Sequence, residues 1–507
     1  MFTLYVHTGN LVAIVVFLSY SSLTLFDLPL LPALSMSAKA KENDKMSIFQ
    51  DISTPFGVPL RGIYKRSYGH TVIKDKLPVI LTNIIDHLCK DKKSIISLHG
   101  ENAERDIKQI IGFISQLKTE VVTNKSLRPM RLNNKEVGND AEEWNKYLEY
   151  RTQVEGEVPK WFSTIWLYCE CYMYRIVAQE VGLTSTLANY DVFGPIKQHT
   201  FFSGINFMKT LAVHVKSICD RREHSEAKQD FLKLLKLSLW ANRYCDGSVS
   251  AGIPTSSEFD SNSGFSPFDV VESLNENILV NDWESVWNIV NNTIMENDGD
   301  IHIVLDNSGY ELVADMYLAT FLSCLAPKSK ITFHVKKYPW YVSDVTPYDF
   351  TWTIDQMRRV DVSEDLSENT NSENRTILQH LVAMFNRLLS SGNWSVKADN
   401  YWTGPYDFKE MKEKEKDLYA QLSNATLVIF KGDLNYRKLL GDINFEYTTS
   451  FKDALGDFQP TNILSLRTVK SDVCVGLSQG VAESLFEKDE HWMRTGQYGL
   501  IQAIVIK

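Results

Sequence analysis

An excess of positive charge is missing from this chain of 507 residues, in which 53 Lys and Arg stand against 63 Asp and Glu for a formal charge of −10. It therefore lacks the electrostatic footprint of a duplex-binding protein. Cysteine is scarce too: Cys89, Cys169, Cys171, Cys219, Cys245, Cys324 and Cys474 are scattered and odd in number, which argues against a disulfide framework and for a reducing compartment. The one close pair, Cys169 and Cys171, is a C-x-C rather than a C-x-x-C and reads as buried thiols. There is no G-x-x-x-x-G-K-[ST], H-E-x-x-H or G-x-G-x-x-G, which weighs against P-loop, zincin and dinucleotide-binding chemistry. No Lys or Arg precedes Lys39, and Asn10, Asp27, Pro29 and Pro32 interrupt the apolar residues of 2–35 short of the roughly 20 that a membrane span requires. Residues 1–45 read as an extension outside the fold, with a signal or anchor and a packed helix as the alternatives.

What is present is an ordinary globular balance, 44% hydrophobic and 23% charged, on a chain long enough for two to four domains at roughly 100 to 200 residues each. Leu77, Ile80, Ile84 and Leu88, then Ile107, Ile110, Ile114 and Leu117, recur at three- and four-residue spacing with charges between them. That spacing predicts amphipathic helices, and a helical domain over 46–246. Glu170 and Arg175 interrupt an apolar, aromatic stretch there and read as an internal ion pair or a solvated edge. Residues 247–267, rich in Ser, Gly, Asn and Asp, read as a linker. Beyond it, β-branched runs at Ile301 to Leu305, Ile331 to Val335, Leu427 to Phe430 and Ile463 to Leu466 alternate with helical stretches, as at Glu311 to Leu325. This predicts an α/β domain over 268–507 with a largely parallel sheet. Residues 362–375 carry no apolar period and read as a mobile insertion.

Ligands of open α/β sheets bind outside the carboxyl ends of the strands, so the residues after each run are the candidates for chemistry. They are Asp306-Asn307-Ser308-Gly309-Tyr310-Glu311, Lys336 to Asp344, Lys431-Gly432-Asp433-Leu434-Asn435-Tyr436-Arg437-Lys438, and Arg467-Thr468-Val469-Lys470. Two carboxylates and an amide oxygen on neighbouring strand ends make a hard, all-oxygen site suited to a divalent ion. Arg437 and Lys470 from the other strand ends would meet a phosphoryl group. Singly each motif is weak, since a lone Asp-Asn after a strand also caps helices and Gly432-Asp433 also makes a turn. Ser308 stands where the second Asp of a D-x-D would fall, which disfavours a covalent aspartyl-phosphate route.

At these residues the sequence closely resembles the metal-dependent damage-control phosphatases of the sugar-phosphate subgroup. Animal members of that family are also called acidic residue methyltransferase or protein-glutamate O-methyltransferase. The resemblance is carried by Trp144 to Tyr150, Glu170 to Arg175, Ser238-Leu239-Trp240-Ala241-Asn242, Leu305 to Leu312, Pro339 to Asp344, the Phe430 to Leu439 run (FKGDLNYRKL) and the R-T-x-K motif Arg467 to Lys470. It spans about residues 60 to 500. It implies a Rossmann-like αβα sandwich with a helical amino-terminal domain. It also implies one divalent metal (Mn, Co, Ni or Mg) held by Asp306, Asn307 and Asp344, which would be the catalytic positions. Substrate contacts would come from Asp306, Asn307, Asp433, Leu434, Asn435, Tyr436, Arg437 and Lys470, and methyl-donor contacts from Glu311 and Asp344.

The implied reaction is hydrolysis of phosphomonoesters of small sugar phosphates such as fructose 1-phosphate and fructose 6-phosphate. The rival enzyme is an S-adenosylmethionine-dependent protein-glutamate O-methyltransferase, for which no Gly-rich donor loop follows any expected strand. A degenerate, non-enzymatic scaffold is disfavoured because every motif position keeps a competent residue. The expected partner is a small-molecule sugar phosphate, with neither nucleic acid nor membrane. The expected location is cytoplasmic, with the nucleus also open, and the oligomeric state is left open.

Overall fold

The computed structural model describes residues 48–132, 139–221, 225–245, 267–360 and 368–506. The amino-terminal extension and the linker expected at 247–267 thus fall, but for the last linker residue, outside the described residues. So do 362–367 of the expected insertion, whereas 368–375 open a helix rather than a loop.

The helical spacing becomes α1 (Leu77–Lys90) and α2 (Ala103–Val122), each turning one buried stripe inward: Leu77, Leu81, Ile84 and Leu88 on the first, Ile107, Ile110, Ile114 and Leu117 on the second. Further along the chain come α3 (Trp166–Gly182), α4 (Ile205–Cys219), α5 (Ala227–Cys245), α6 (Tyr310–Leu325), α7 (Glu368–Ser390) and α8 (Gly432–Leu440), among other helices. α3 is buried along almost its whole circumference. Such a helix belongs inside a core rather than at a surface.

Seven strands form one sheet: β1 (Ile278–Asn281), β2 (Ile301–Val304), β3 (Ile331–His334), β4 (Trp394–Lys397), β5 (Leu427–Lys431), β6 (Asn462–Thr468) and β7 (Gly499–Ile504). Their order is β1-β7-β6-β5-β2-β3-β4. From β6 to β4 all neighbours are parallel, as the four β-branched runs predict, and β7 pairs antiparallel with β6. β1, β4 and the final β7 lie outside those four runs.

Both faces of the sheet are buried, so the central strands read as near-continuous apolar runs. Val304, Val428, Phe430 and Ile463 enter one core with α1, α2 and α3, while Ile301, Ile303, Leu427, Ile429 and Leu464 enter a second with α4, α5 and α6. The helices expected as a domain over 46–246 therefore divide between two cores that they share with the sheet. The chain runs from β2 through α6 to β3 on one side, and from β5 through α8 to β6 on the other. The carboxyl ends of β2 and β5 consequently flank a topological switch point.

Two histidines are built into the sheet beside it. His302 Nδ1 lies 2.8 Å from His334 Nε2, and Trp402 Nε1 donates to His334 Nδ1 at 3.2 Å. Burial, then the neighbouring His334, pushes His302 down to about 3 from the usual 6.5. Held neutral when folded, it contributes stability that is complete above its unfolded pKa and lost as pH falls from 6.5 toward 3. Thermal melts between about pH 7 and pH 5 should lose less stability on acidification in His302→Gln than in the wild type, and parallel slopes would remove the assignment.

Candidate functional site

β2 ends at Val304, and the chain turns through Asp306 and Asn307 into α6. The loop after β3 returns to it: Asn307 and Asp344 form an isolated antiparallel bridge, Val345 N–H donates to Asp306 O at 2.8 Å, and Ser308 N–H donates to Ser343 O at 2.7 Å. The structure thus brings together Asp306, Asn307 and Asp344, as the strand-end reading expects, although they come from two separate loops of the chain. All three are buried.

Their partners fix the geometry. Asp306 Oδ2 accepts from Asn242 Nδ2 at 2.7 Å and from Asn307 Nδ2 at 2.9 Å. Glu311 Oε2 accepts from the same two amides at 2.9 and 2.8 Å, and its Oε1 from Lys431 Nζ at 3.1 Å. Lys431 also donates to Asp315 Oδ1 at 2.7 Å. Asp344 Oδ2 pairs with Lys336 Nζ at 3.0 Å, and Lys336 donates in addition to Leu305 O at 2.9 Å. Asn242 joins the two halves of the site, since its Oδ1 accepts from Lys470 Nζ at 2.7 Å and from Thr468 Oγ1. Asn307 Oδ1 accepts from Ser343 Oγ.

Burial pushes Asp306 well above the ordinary carboxylate range, and the nearby Asp344 and Glu311 push it further. Burial also raises Asp344 to about 6 against the opposing pull of Lys336. Carboxylates crowded in a dry pocket, one of them accepting from amides only, are held ionised when a cation lies among them. By residue type these carboxylates and the Asn307 amide are the oxygen donors a hard divalent ion takes, although Asn307 turns its Nδ2 toward Asp306 and its Oδ1 toward Ser343. The third donor is an amide, and among the described residues no three His, Cys, Asp or Glu side chains converge as metal ligands.

The run assigned to substrate is placed less uniformly. Asp433 Oδ1 accepts from Arg467 Nε at 2.8 Å and from Lys470 N–H at 3.2 Å, so it ties down the R-T-x-K turn. Leu434 is buried in the core, and Asn435 turns back to Lys431 O at 2.8 Å. Tyr436 donates to Gln502 Oε1 at 2.8 Å beneath the Arg467 guanidinium. Arg437 is enclosed: its Nε and Nη2 donate to Asp442 at 2.8 and 2.9 Å and its Nη1 to Glu170 at 2.6 Å. Of the two expected phosphate cations, Lys470 alone reaches the carboxylate cluster, through Asn242. Glu311 is fully buried and accepts from three partners, Asn242, Asn307 and Lys431. Glu170 and Arg175 do not pair with each other; Glu170 meets Arg437 and Arg175 meets Asp140 at 2.6 Å.

Lys336, Lys431 and Asn242 are site residues whose roles the sequence reading missed. The signal for the lysines was position, immediately after strands; Asn242 lies on α5, and no local pattern aims it at β2. Gly476 to Gly480 spells G-x-S-x-G, but Ser478 is exposed on a turn several residues past β6 rather than on a strand-to-helix elbow. A cavity of about 730 Å³ abuts Ser308 and Gly309 and is walled by Tyr190, Phe193 and Trp352, but touches none of Asp306, Asn307 and Asp344. Two of the carboxylates on the cavity wall, Asp191 and Asp349, are taken up by Lys197 at 2.8 and 2.7 Å. Among the described residues no helix is long and apolar enough to cross a membrane.

Residues 72–485 match the Damage-control phosphatase ARMT1-like domain family. The chain is 35% identical over 453 residues to Damage-control phosphatase ARMT1 of Xenopus laevis, covering 87% of this chain and 98% of that protein. It is 36% identical over 446 residues to the Mus musculus protein of the same name, covering 86% and 96%. The Homo sapiens one matches at 34% over 446 residues, with the same coverage. A solved duf89 family protein from Pyrococcus horikoshii aligns over 68% of this chain and 85% of its own, at 15% identity and a TM-score of 0.34.

Proposed function

This chain belongs to the ARMT1-like damage-control phosphatase family, and from that premise we propose a metal-dependent phosphatase that hydrolyses phosphomonoesters of small sugar phosphates such as fructose 1-phosphate and fructose 6-phosphate. The observation that carries the reading is the meeting of Asp306, Asn307 and Asp344 at the switch point between β2 and β5. The fold proposed with it is a Rossmann-like αβα sandwich, supported by the buried faces of the sheet and by that switch point.

Asp306, Asn307 and Asp344 would hold one divalent ion, Mn, Co, Ni or Mg, which when bound supplies positive charge to phosphoryl oxygens and acidifies water. Lys470 would neutralise developing charge on the phosphoryl group. The first-turn N–H groups of α8, beginning at Gly432, face the same strand ends and suit a phosphate. Either Asp306 or Asp344 can take the proton of the attacking water. Asn242 holds Asp306 and Lys470 at fixed separation, so that carboxylate and ammonium do not collapse into an ion pair.

Phosphate release from a panel of sugar phosphates, measured after chelation with and without each metal, tests this. Release is expected only with metal restored, and Asp344→Ala should lose at least about a hundredfold, because a direct ligand counts for more than the outer partners whose loss already costs roughly 10–100-fold. A folded protein that releases no phosphate with any of these metals would overturn the proposal and favour methyl transfer.

A further inference from the structure

Tyr341 and Val342 both lie in the left-handed region, with φ of +41° and +68°, shortly before Asp344. For a β-branched residue that conformation is an outlier, and it persists only where the surroundings impose it. Here they are specific. Asp344 N–H donates to Trp340 O at 3.1 Å and Ser343 N–H to Tyr341 O at 2.8 Å, which closes a tight turn. The Tyr341 ring stacks on Tyr174 of α3 with centroids 4.6 Å apart, and its hydroxyl donates to Glu170 Oε2 at 3.0 Å. The same oxygen accepts from Arg437 Nη1 at 2.6 Å, and Arg437 is itself clamped by both oxygens of Asp442 and lies 3.6 Å over the Trp166 ring. A rigid, buried chain therefore runs from Asp442 through Arg437 and Glu170 to the tip of the turn that carries Asp344.

We propose that Glu170 and Arg437 are positioning residues for the metal site, holding the strained Trp340–Asp344 turn through the Tyr341 hydroxyl, and that Arg437 makes no contact with substrate phosphate. This rests on the reading of Asp344 as a metal ligand. An anion approaching Arg437 would have to displace Glu170 or Asp442, leaving a carboxylate buried without its cation. The core gains no packing from this choice of residues that a hydrocarbon would not supply. What the charged chain adds is direction: two carboxylates orient one guanidinium, and that guanidinium orients the Glu170 oxygen that accepts from the Tyr341 hydroxyl, beside which Cys171 Sγ lies at 3.6 Å.

The test uses the full chain, with Mn²⁺ affinity by calorimetry and steady-state phosphate release. Tyr341→Phe, which keeps the ring stack, and Glu170→Gln, which keeps an acceptor, should each weaken Mn²⁺ binding about 10–100-fold. The rate at limiting metal should fall in parallel and return with excess Mn²⁺, while KM for the sugar phosphate stays within about threefold. In a Val342→Gly background, where the left-handed conformation is free of its steric cost, the loss from Tyr341→Phe should shrink, a non-additivity that contact alone does not predict. Unchanged Mn²⁺ affinity in Tyr341→Phe overturns the proposal, as does a lower melting midpoint with normal affinity and rate. A raised KM with normal Mn²⁺ binding in Arg437→Lys overturns it in favour of direct phosphate contact. A wild-type chain that binds no Mn²⁺ and releases no phosphate refutes the metal-site reading and this proposal together, whereas an active wild type with indistinguishable variants refutes positioning alone.

Discussion

Asp306→Asn is expected to abolish metal-dependent phosphate release, by at least about a hundredfold, and at the same time to raise the stability of the metal-free protein. The two effects share one cause. Asp306 Oδ2 accepts from Asn242 and Asn307, and an asparagine oxygen can accept both of those bonds. What the substitution removes is an ionisable group whose charged form Asp344 and Glu311 oppose and desolvation disfavours. Removing it should stabilise the fold by on the order of 1 kcal/mol or more, as replacing buried charge by neutral groups of like volume commonly does.

The gain also depends on pH. Because the folded-state pKa of Asp306 is raised above its ordinary 3.8, the folded protein binds more protons than the unfolded chain between the two values. The contribution of Asp306 is thus fully present below 3.8 and lost as pH rises through the folded value. Asn lacks this loss, so the advantage of the variant should widen as pH rises. Melts in chelator at about pH 5 and pH 8 measure it, and a variant less stable than the wild type at both would show that the carboxylate is compensated by a partner other than a metal.

Gly432→Ala is expected to be the most damaging glycine-to-alanine change among the described residues. Gly432 opens α8 at φ +80°, and a Cβ there would lie 1.8 Å from Asp306 Oδ2 and 2.2 Å from its Cγ. The left-handed backbone costs roughly 1–2 kcal/mol for alanine, and overpacking a fixed neighbour adds typically about 1–3 kcal/mol. The sum is about 2–5 kcal/mol of stability, unless Asp306 moves aside. Movement would relieve the clash by displacing a candidate ligand, so activity falls either way. Denaturant midpoint and phosphate release measured together decide between the two routes, and wild-type values of both would disprove the close approach.

Much of this site was legible in the sequence because strands announce themselves through β-branched runs, and ligands of an α/β sheet bind just beyond the carboxyl ends of its strands. Ile301 to Leu305 pointed to Asp306 and Asn307 in this way, and Leu427 to Phe430 pointed to Gly432 and Asp433. The chemistry of those residue types, two carboxylates and an amide, is a local property and needs no coordinates. The edge strands β1 and β4 and the antiparallel β7 escaped because a short, half-buried segment, or a run interrupted by Gln502, does not alternate or cluster strongly enough to be told from loop.

The sequence by itself determined the element types of the parallel core, the strand-end residues and the family. Only the tertiary structure decided which charges meet. Arg437 lies one helical turn past Asp433 on α8, yet it turns to Glu170, 267 residues away, because Asp442 and α3 enclose it. Lys470 instead reaches the carboxylate cluster through Asn242 of α5. Ion pairing and desolvation depend on through-space distance and on exclusion of water, and a linear pattern encodes neither. A residue type can be read along the chain, whereas a partner is fixed only when the two cores close on both faces of the sheet.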